Sequence, residues 1–519
     1  MEISFILDVF ASVFLTTVAL IRLAVFTFRF RYISNQKFFA RFHSLLRIFV
    51  FSIILLVLSS NLIFTLIGWD GLGVTSYLLV IYYGSTKSYN AGILTMLTNR
   101  FGDVLLVSGI GIVLRQGSWS VLYYKEFIEV DITLKILLTA GAFTKRAQIP
   151  FRAWLPAAIA APTPVSSLVH SSTLVTAGVY LIFRHLYNSR SNLEIPSIIF
   201  VGLLTITIAR MSAFNEKDMK KMVALSTLRQ LGLIILCLGS GWAFIAFFHL
   251  ITHAFFKAII FIRVGNIIHS RQLYQSIKNT GGLIYSSPFN RSSVVLARAS
   301  LCGAPFTAAF FSKEPIIEIR IYNRGTLNVI SLVMLSLLIT LLYSSRLIKI
   351  VLLHYNSITV ATHISEIDMR LRKGILLLSI PSFSRGSVIT QLLYLKPVIF
   401  LYPLRIKLVI FTSFFVMLAV LTFNSYPVIH TGLVYLFPIW GLRLFSGPIF
   451  NTVTQYASFG AKAWGFSTPL KRFQEIVSFK LSGLSRFYSR HFVYRLIVSI
   501  PFFYMLLKVA FYKLFCKKK

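Results

Sequence analysis

The sequence predicts an all-α, polytopic transmembrane protein, and three observations lead to that fold class. Hydrophobic residues make up 56% of the 519 residues and charged residues only 13%, whereas a soluble domain carries about a quarter charged residues. Apolar runs that can span a hydrocarbon layer of ~30 Å recur along the whole chain, about a dozen or slightly more in number. Prolines and charged side chains interrupt two of these runs, which is typical of broken membrane helices.

The apolar runs set the organisation of the chain. Clear examples are SIILLVLSSNLIFTLIGW, IIFVGLLTITIA, LVMLSLLITLLY, LVIFTSFFVMLAVLTF and LIVSIPFFYMLLKVAFY. Short connectors such as GSTKSYN and AFNEKDMKK join the runs as far as about residue 430. We therefore expect residues 1–430 to form one transmembrane domain.

Two proline-containing segments predict helix breaks inside this domain. Lys145 precedes four prolines in TKRAQIPFRAWLPAAIAAPTPVSSLVH, and Pro305 precedes Lys313 in LCGAPFTAAFFSKEP. Proline removes a backbone donor, which is tolerated at membrane depth only beside protein or water. Broken helices with intramembrane lysines are typical of inverted-repeat transporters. Two ordinary proline kinks are the alternative.

The C-terminal region has a different pattern. Within residues 445–490 apolar residues recur at helical spacing, with basic residues between them; the apolar positions are Phe466, Leu470, Phe473, Val477, Leu481, Leu484 and Phe487. This pattern predicts an amphipathic helix that lies along a surface. Residues 491–519 then contain a final apolar run, which we interpret as a transmembrane anchor.

Several classes of function are excluded by what the sequence lacks. The three cysteines are far apart and form no CxxC pair, and neither a Walker loop nor a GxGxxG after a strand pattern is present. The chain is therefore not expected to hold a redox centre or a nucleotide. The net charge of +37 favours loops near anionic lipid or acidic subunits over nucleic acid in such an apolar chain.

Titratable residues inside apolar runs are the candidate functional residues, because an ionised group at mid-bilayer costs on the order of 2.5–3.5 kcal/mol. The candidates are Asp70, Asp103, Lys145, His170, His249, His253, Lys257, Lys313 and Glu314. We expect Lys313 and Glu314 to end the second broken helix. A structural ion pair with Arg100 is the alternative for Asp103, and a hydrogen bond in helix packing is the alternative for His170.

The stretch HLITHAFFKAIIF, residues 249–261, is the most informative of these. Its three bases are four residues apart, so they form a stripe of about 12 Å on one helix face. Burial reduces the proton affinity of a lysine and a nearby carboxylate restores it, so such a stripe can take up and release protons. His-x3-His is also a metal-ligand pair, but HExxH is absent and lysine is a poor third ligand.

Five motifs carry a resemblance to a known family. They are WDGLGVTSYLLVIYY, the segment TKRAQIPFRAWLPAAIAAPTPVSSLVHSSTLVTAGVYLIFR, KKMVALSTLRQLGL, HLITHAFFKAIIF and PFTAAFFSKEPIIE. In this order they resemble the chain 5 family of NADH–ubiquinone oxidoreductase, the largest antiporter-like membrane subunits of respiratory complex I. The resemblance covers about residues 5–345 and is weaker beyond them.

The resemblance implies an architecture and a role. The fold would contain two inverted five-helix repeats with broken helices, and residues 445–490 would be a lateral helix beside neighbouring pump subunits. The chain would translocate protons in the mitochondrial inner membrane as a subunit of the NADH:ubiquinone reductase. NADH, FMN, iron–sulfur clusters and ubiquinone would be used by other subunits. The implied partners are other complex I membrane subunits, membrane lipid with cardiolipin among the candidates, and protons.

The resemblance also implies roles for individual residues. Asp70 would be the membrane acid paired with Lys145, and Asp103 would match a further family acid. The central chain would consist of His170, His249, His253 and Lys257, with water between them, and Lys313 would be the lysine on the exit side.

The chain departs from the family pattern in two ways. The family usually has two further helices before FILDVFASVFLTTVALIRLAVF, so the N-terminus is expected to be short of two helices. Arginines also stand where relatives carry small polar residues, at Arg146 and Arg229, and Arg263 lies in an apolar run. Because a buried arginine does not release its proton, our hypothesis is that some of these are serine codons translated with the wrong mitochondrial code.

Two other functions remain open at this point. One is a subunit of a multi-subunit cation/proton antiporter. The absence of an amphipathic helix and a terminal anchor would favour this function, and the sequence predicts both. The other is a membrane scaffold that has lost pumping, which the short N-terminus and the extra arginines would favour.

Overall fold

The computed structural model describes residues 4–33, 38–115, 132–169, 171, 173–185, 196–216, 218–270, 275–276, 288–304, 307–322, 340, 344 and 369–393. The chain divides into two compact units, Met1–Ser446 and Gly447–Lys519. Every described residue lies in the first unit. The predicted boundaries at 430, 445 and 491, the amphipathic helix and the terminal anchor lie outside the described residues.

Helices make up nearly all of the described structure, with two isolated β-bridges besides. We number the α-helices in chain order: α1 Val9–Tyr32, α2 Phe39–Leu58, α3 Leu62–Val80, α4 Thr86–Arg115, α5 Ile132–Lys145, α6 Trp154–Ala157, α7 Thr163–Val169, α8 Leu174–His185, α9 Pro196–Asn215, α10 Met219–Gly239, α11 Ala243–Ser270, α12 Pro288–Cys302, α13 Ala308–Tyr322 and α14 Met369–Leu393. Short 3-10 turns follow α3 at Ile81–Tyr83 and α6 at Ala158–Ala160.

Eight segments of the described chain are long and apolar enough to cross a membrane. They are Val9–Phe30, Phe39–Leu58, Leu62–Tyr83, Thr86–Leu114, Thr163–His185, Pro196–Ala213, Met219–Gly239 and Ala243–His269. This confirms an all-helical, polytopic membrane protein. The most apolar 18-residue stretch is completely buried in each of the segments that contain α8, α10 and α11. In the segment that contains α4 only 28% of this stretch is buried.

One predicted span is in fact two helices. The run SIILLVLSSNLIFTLIGW crosses the end of α2 and the start of α3, which are separated by Ser59, Ser60 and Asn61. The Ser59 hydroxyl donates to the carbonyl of Leu56, and the backbone of Asn61 is extended. Hydroxyl and amide side chains that bond the local backbone compete with helical hydrogen bonds, so they end α2 here.

Both predicted helix breaks are present, and they share one local geometry. At the end of α5 the Gln148 amide bonds the Phe143 carbonyl and the Ala147 amide bonds the Thr144 carbonyl, with Ala147 at a φ of 54°. This is a Schellman motif in which alanine occupies the left-handed position that glycine usually takes. The motif stops α5 directly after Lys145.

The second break repeats the arrangement with glycine. At the end of α12 the Ala304 amide bonds the Ala299 carbonyl and the Gly303 amide bonds the Ser300 carbonyl, with Gly303 at a φ of 83°. Helix α13 begins at Ala308 and runs to Tyr322, with Pro315 inside it. Each break therefore places a lysine within a few residues of an interrupted backbone, Lys145 before the first break and Lys313 after the second.

Candidate functional site

The three bases of the 249–261 stretch lie on α11, and each is fully buried. The ring centroids of His249 and His253 are 6.5 Å apart, as expected for positions four residues apart on one helix. The predicted stripe on one face is thus confirmed as a buried feature of the core. The line continues to Lys257 one turn further along.

Helix α10 supplies hydrogen-bond partners to both ends of this stripe. His249 Nε2 lies 3.2 Å from Gln230 Oε1, and the Lys257 ammonium donates to the hydroxyl oxygen of Ser226. Gln230 and Ser226 are four residues apart, so they lie on one face of α10, although the bases that they bind are eight residues apart on α11. Both are buried.

Helix α13 contacts the stripe through Ser312, which is fully buried. Its hydroxyl lies 2.9 Å from His249 Nδ1 and 3.0 Å from the Thr252 hydroxyl. His249 is thereby held at both ring nitrogens, one by α10 and one by α13. His253 differs, because neither of its ring nitrogens has a hydrogen-bond partner among the described residues.

Lys313 follows Ser312 on α13 and is 5% exposed. Its ammonium donates to the carbonyl of Leu301 in the last turn of α12. That carbonyl is one of the four that a helix end leaves without an intrahelical donor, and the helix dipole favours a cation there. The lysine thus crosses the break and caps the helix before it.

The prediction that Lys313 and Glu314 end the second broken helix is wrong. Helix α13 continues for eight residues beyond Glu314, because a proline inside a helix can kink it without ending it where neighbouring elements pack around it. Glu314 is half-buried beside Lys313, and Glu318 is buried one turn further along.

A second charged cluster lies on α3, α4 and α5. Lys145 is fully buried at the end of α5, and its ammonium donates to the carbonyl of Trp69 and lies 4.0 Å from the centroid of the Trp69 ring. A cation over an indole face is attracted by the ring quadrupole. The lysine is therefore held by the residue directly before Asp70.

Arg100 on α4 binds both carboxylates of this cluster. Its Nη1 lies 2.9 Å from Asp70 Oδ1 and 3.3 Å from Asp103 Oδ2. Lys145 forms no ion pair within 4 Å in the described part of the chain, so the pairing of Asp70 with Lys145 that the resemblance implies is an interaction at longer range. Asp103 and Asp70 are both within electrostatic range of Lys145. Arg100 makes the direct contacts because it lies three residues before Asp103 on α4 and reaches Asp70 on the adjacent helix α3.

The arginines singled out in the sequence are all buried. Arg146 follows Lys145 at the first break, and Arg263 lies with its guanidinium carbon 4.5 Å from the Phe289 ring centroid. Arg229 is within electrostatic range of Lys257, His249 and Lys313. Each arginine thus brings a permanent charge into the protein interior.

Sequence reasoning missed the polar partners of the stripe. Ser226, Gln230, Thr252 and Ser312 each lie in a transmembrane or broken helix, and their only sequence signal is a hydroxyl or amide within an apolar run. His170 lies outside the described residues. In the ranges that the structure covers, no group of three or more His, Cys, Asp or Glu side chains is placed to hold a metal ion.

Solved structures share this fold. One is the Mrp complex from Dietzia sp. DQ12-45-1b, with a TM-score of 0.68 and 22% identity over 91% of this chain and 56% of that chain. Another is the membrane-bound sulfane sulfur reductase, an archaeal respiratory membrane complex, with a TM-score of 0.66 and 22% identity over 74% of this chain and 80% of that one. At this identity the likeness concerns the fold alone.

Sequence comparisons give the family. The family model described as NADH:quinone oxidoreductase/Mrp antiporter, transmembrane, matches residues 59–340. NADH-ubiquinone oxidoreductase chain 5 of Lumbricus terrestris is 41% identical over 410 residues, which cover 79% of this chain and 71% of that protein. The same protein of Locusta migratoria is 38% identical over 453 residues, covering 86% and 78%. The chain therefore belongs to the NADH-ubiquinone oxidoreductase chain 5 family, within the NADH:quinone oxidoreductase/Mrp antiporter transmembrane proteins.

Proposed function

We propose that this chain carries protons across the mitochondrial inner membrane as an antiporter-like subunit of NADH:ubiquinone oxidoreductase. The observation that carries the proposal is the buried line of His249, His253 and Lys257 on α11, bonded to side chains of α10 and α13. Membership of the chain 5 family supports it. Buried titratable groups in line within a membrane protein are characteristic of proton relays.

The chemistry of the line is a series of reversible transfers. A protonated Lys257 can give a proton to the neutral imidazole of His253, which leaves a neutral amine and an imidazolium. His253 can pass the proton on to His249, and His249 to Lys313. Because the two imidazole centroids are 6.5 Å apart, transfer between them needs a bridging water.

The cluster around Lys145 would exchange protons with this line. Asp70 and Asp103 flank the lysine, Arg100 keeps both carboxylates at fixed positions, and Trp69 holds the ammonium. In this proposal His170 connects the two clusters. Lys313 and Glu314 then form the exit side.

The proposal extends to the parts of the architecture beyond the helices described above. Two inverted repeats would each contribute one broken helix, consistent with the same Schellman geometry after Phe143–Thr144 and after Ala299–Ser300. Residues 445–490 would lie laterally against neighbouring antiporter-like subunits, and residues 491–519 would anchor them. The redox reactions with NADH, FMN, iron–sulfur clusters and ubiquinone would take place in other subunits.

The test is Lys257→Met in the assembled complex reconstituted into vesicles. Methionine keeps a long side chain in the buried position and removes the proton carrier. We expect fewer protons moved per NADH oxidised, while NADH oxidation by an artificial electron acceptor is unchanged. Lys135→Met, at a half-buried lysine of α5 away from both clusters, is the control. An unchanged proton ratio in Lys257→Met would favour the scaffold.

We also propose that some of the arginines at positions 146, 229 and 263 are mistranslated serine codons, and that serine occupies position 229 in the mature protein. Arg229 is fully buried and lies within electrostatic range of Lys257 and Lys313. A permanent cation there would repel a proton on either lysine, whereas a hydroxyl would extend the polar face formed by Ser226 and Gln230. Peptide mass spectrometry over residues 222–236 decides the matter, and arginine at position 229 refutes the proposal.

A further inference from the structure

A further group of bases, from fully buried to exposed, lies on the α1–α2 hairpin, away from both clusters described above. Arg22 and Arg29 belong to α1, and His43 and Arg47 belong to α2; we call these four residues the hairpin cluster. The Arg29 guanidinium forms a hydrogen bond with His43 Nδ1. All three arginines are within electrostatic range of His43. The four bases therefore form one positively charged unit across two helices.

The position of the cluster along the helices matches the headgroup boundary of a bilayer. Arg29 lies one residue before the end of the first candidate span at Phe30, and His43 lies one turn after the start of the second at Phe39. Arg22 and Arg47 are each eight residues from these ends, which is roughly 12 Å deeper. Arginine side chains can extend from such depths toward the membrane surface.

Acidic partners are missing from the hairpin cluster in the described part of the chain. No carboxylate lies within 4 Å of any of its four bases there, in contrast to Arg100, which binds Asp70 and Asp103. Several like charges at the edge of an apolar layer repel one another and are costly to desolvate. An anion from outside the protein would compensate both costs.

Aromatic rings hold the arginines in place. The guanidinium carbon of Arg29 lies 4.8 Å, 4.9 Å and 4.8 Å from the ring centroids of Phe26, Phe30 and Phe39, and that of Arg22 lies 5.2 Å from Phe26. Arg29 is 1% exposed, and its Nε has no hydrogen-bond partner among the described residues. The charge of Arg29 is thus held in the protein interior, whereas Arg22 is half-buried and Arg47 is exposed.

Exposed apolar side chains lie next to Arg22 and Arg47. Leu23 is 55% exposed, Ile48 46% and Phe51 57%. Helix α1 packs mainly against α14 and α11 and helix α2 mainly against α3, and the two make little contact with each other. An apolar surface beside a set of cations can bind the acyl chains of a lipid whose phosphate contacts the cations. A free phosphate ion would have no contact with this apolar surface.

We propose that the hairpin cluster binds the phosphodiester headgroup of an anionic phospholipid. Arg22, Arg47 and His43 contact the phosphate oxygens, and Arg29 supplies a fixed charge from behind them. The acyl chains lie along Leu23, Ile48 and Phe51. Basic pockets between transmembrane helices are the usual sites at which proteins bind anionic lipid headgroups.

The test uses the assembled complex in phosphatidylcholine bilayers that contain a trace of photoreactive phosphatidylglycerol. After illumination, peptide mass spectrometry measures the labelling of peptides from α1 and α2. We expect Arg47→Gln to reduce this labelling about 5-fold and Arg22→Gln with Arg47→Gln about 30-fold. Lys135→Gln, which removes a cation from α5, leaves the labelling unchanged. Native gel electrophoresis of the complex verifies that each variant assembles.

Two further measurements separate the possible occupants. Photoreactive phosphatidylcholine labels the hairpin weakly and equally in every variant, and excess inorganic phosphate does not displace phosphatidylglycerol. Equal labelling by the two lipids in the unaltered complex would overturn the proposal, because the cluster would then not distinguish an anionic headgroup from a zwitterionic one. Displacement by inorganic phosphate would also overturn it, because the site would then recognise the ion without its acyl chains.

Discussion

Ser312→Ala tests whether the polar contacts around His249 serve proton transfer. The Ser312 hydroxyl links α13 to α11 through His249 and Thr252, at 2.9 Å and 3.0 Å. Each hydrogen bond contributes about 0.5–1.5 kcal/mol, so losing both costs about 1–3 kcal/mol. If proton transfer requires the imidazole in its bound orientation, the rate falls about 5- to 150-fold, since each 1.36 kcal/mol is a factor of ten.

The assay compares proton translocation with NADH oxidation in vesicles that contain the assembled complex. Ser300→Ala is the matched control, because Ser300 is also buried and, among the described residues, its hydroxyl bonds only the Ala297 carbonyl of its own helix, at 2.9 Å. We expect Ser312→Ala to slow coupled proton translocation and Ser300→Ala to leave it near the original rate. Equal rates in the two variants would refute the role assigned to the bond between Ser312 and His249.

Three further predictions test the fold, each by thermal denaturation of the purified complex. Ala147→Gly should stabilise the chain by about 1–2 kcal/mol, because glycine adopts the observed φ of 54° without a Cβ clash; an unchanged transition would contradict this. Gly232→Ala should destabilise by about 1–3 kcal/mol, since a Cβ there would lie 2.7 Å from side chains of α9, whereas Gly111→Ala meets nothing within 4 Å and should be neutral or stabilising. Burial raises the pKa of Glu216, although a nearby lysine opposes the shift. The ionised carboxylate therefore destabilises the folded state at pH values above the pKa of Glu216. Glu216→Gln should raise the denaturation temperature in that pH range and have no effect below the pKa that the carboxyl has in the unfolded chain.

Local patterns in the sequence predicted the features that depend on one helix. The spacing of four residues was sufficient to place His249, His253 and Lys257 on one face, because helical periodicity alone determines it. Proline positions were sufficient to locate both breaks. They did not give the end of α13, because whether a helix continues through Pro315 depends on what packs around it.

Features that depend on contacts between helices could not be read from the sequence. The resemblance implied that Asp70 pairs with Lys145, and the sequence did not indicate that Arg100 contacts this carboxylate from α4 while the lysine binds the Trp69 carbonyl. The amino-acid sequence alone does not indicate whether Arg100 or Lys145 lies nearer to Asp70 in space. Ser312 was missed for the same reason, since its importance comes from its position opposite His249 on another helix.

The complete burial of α10 and α11 has a consequence for biogenesis. Both helices carry arginine or lysine, yet the most apolar stretch of each is buried along its whole length, whereas that of α4 is mostly exposed. A segment with such charges gains little from entering the bilayer alone. We therefore expect α11 to become stably inserted only after the later helices α12, α13 and α14, which pack against it, have been synthesised.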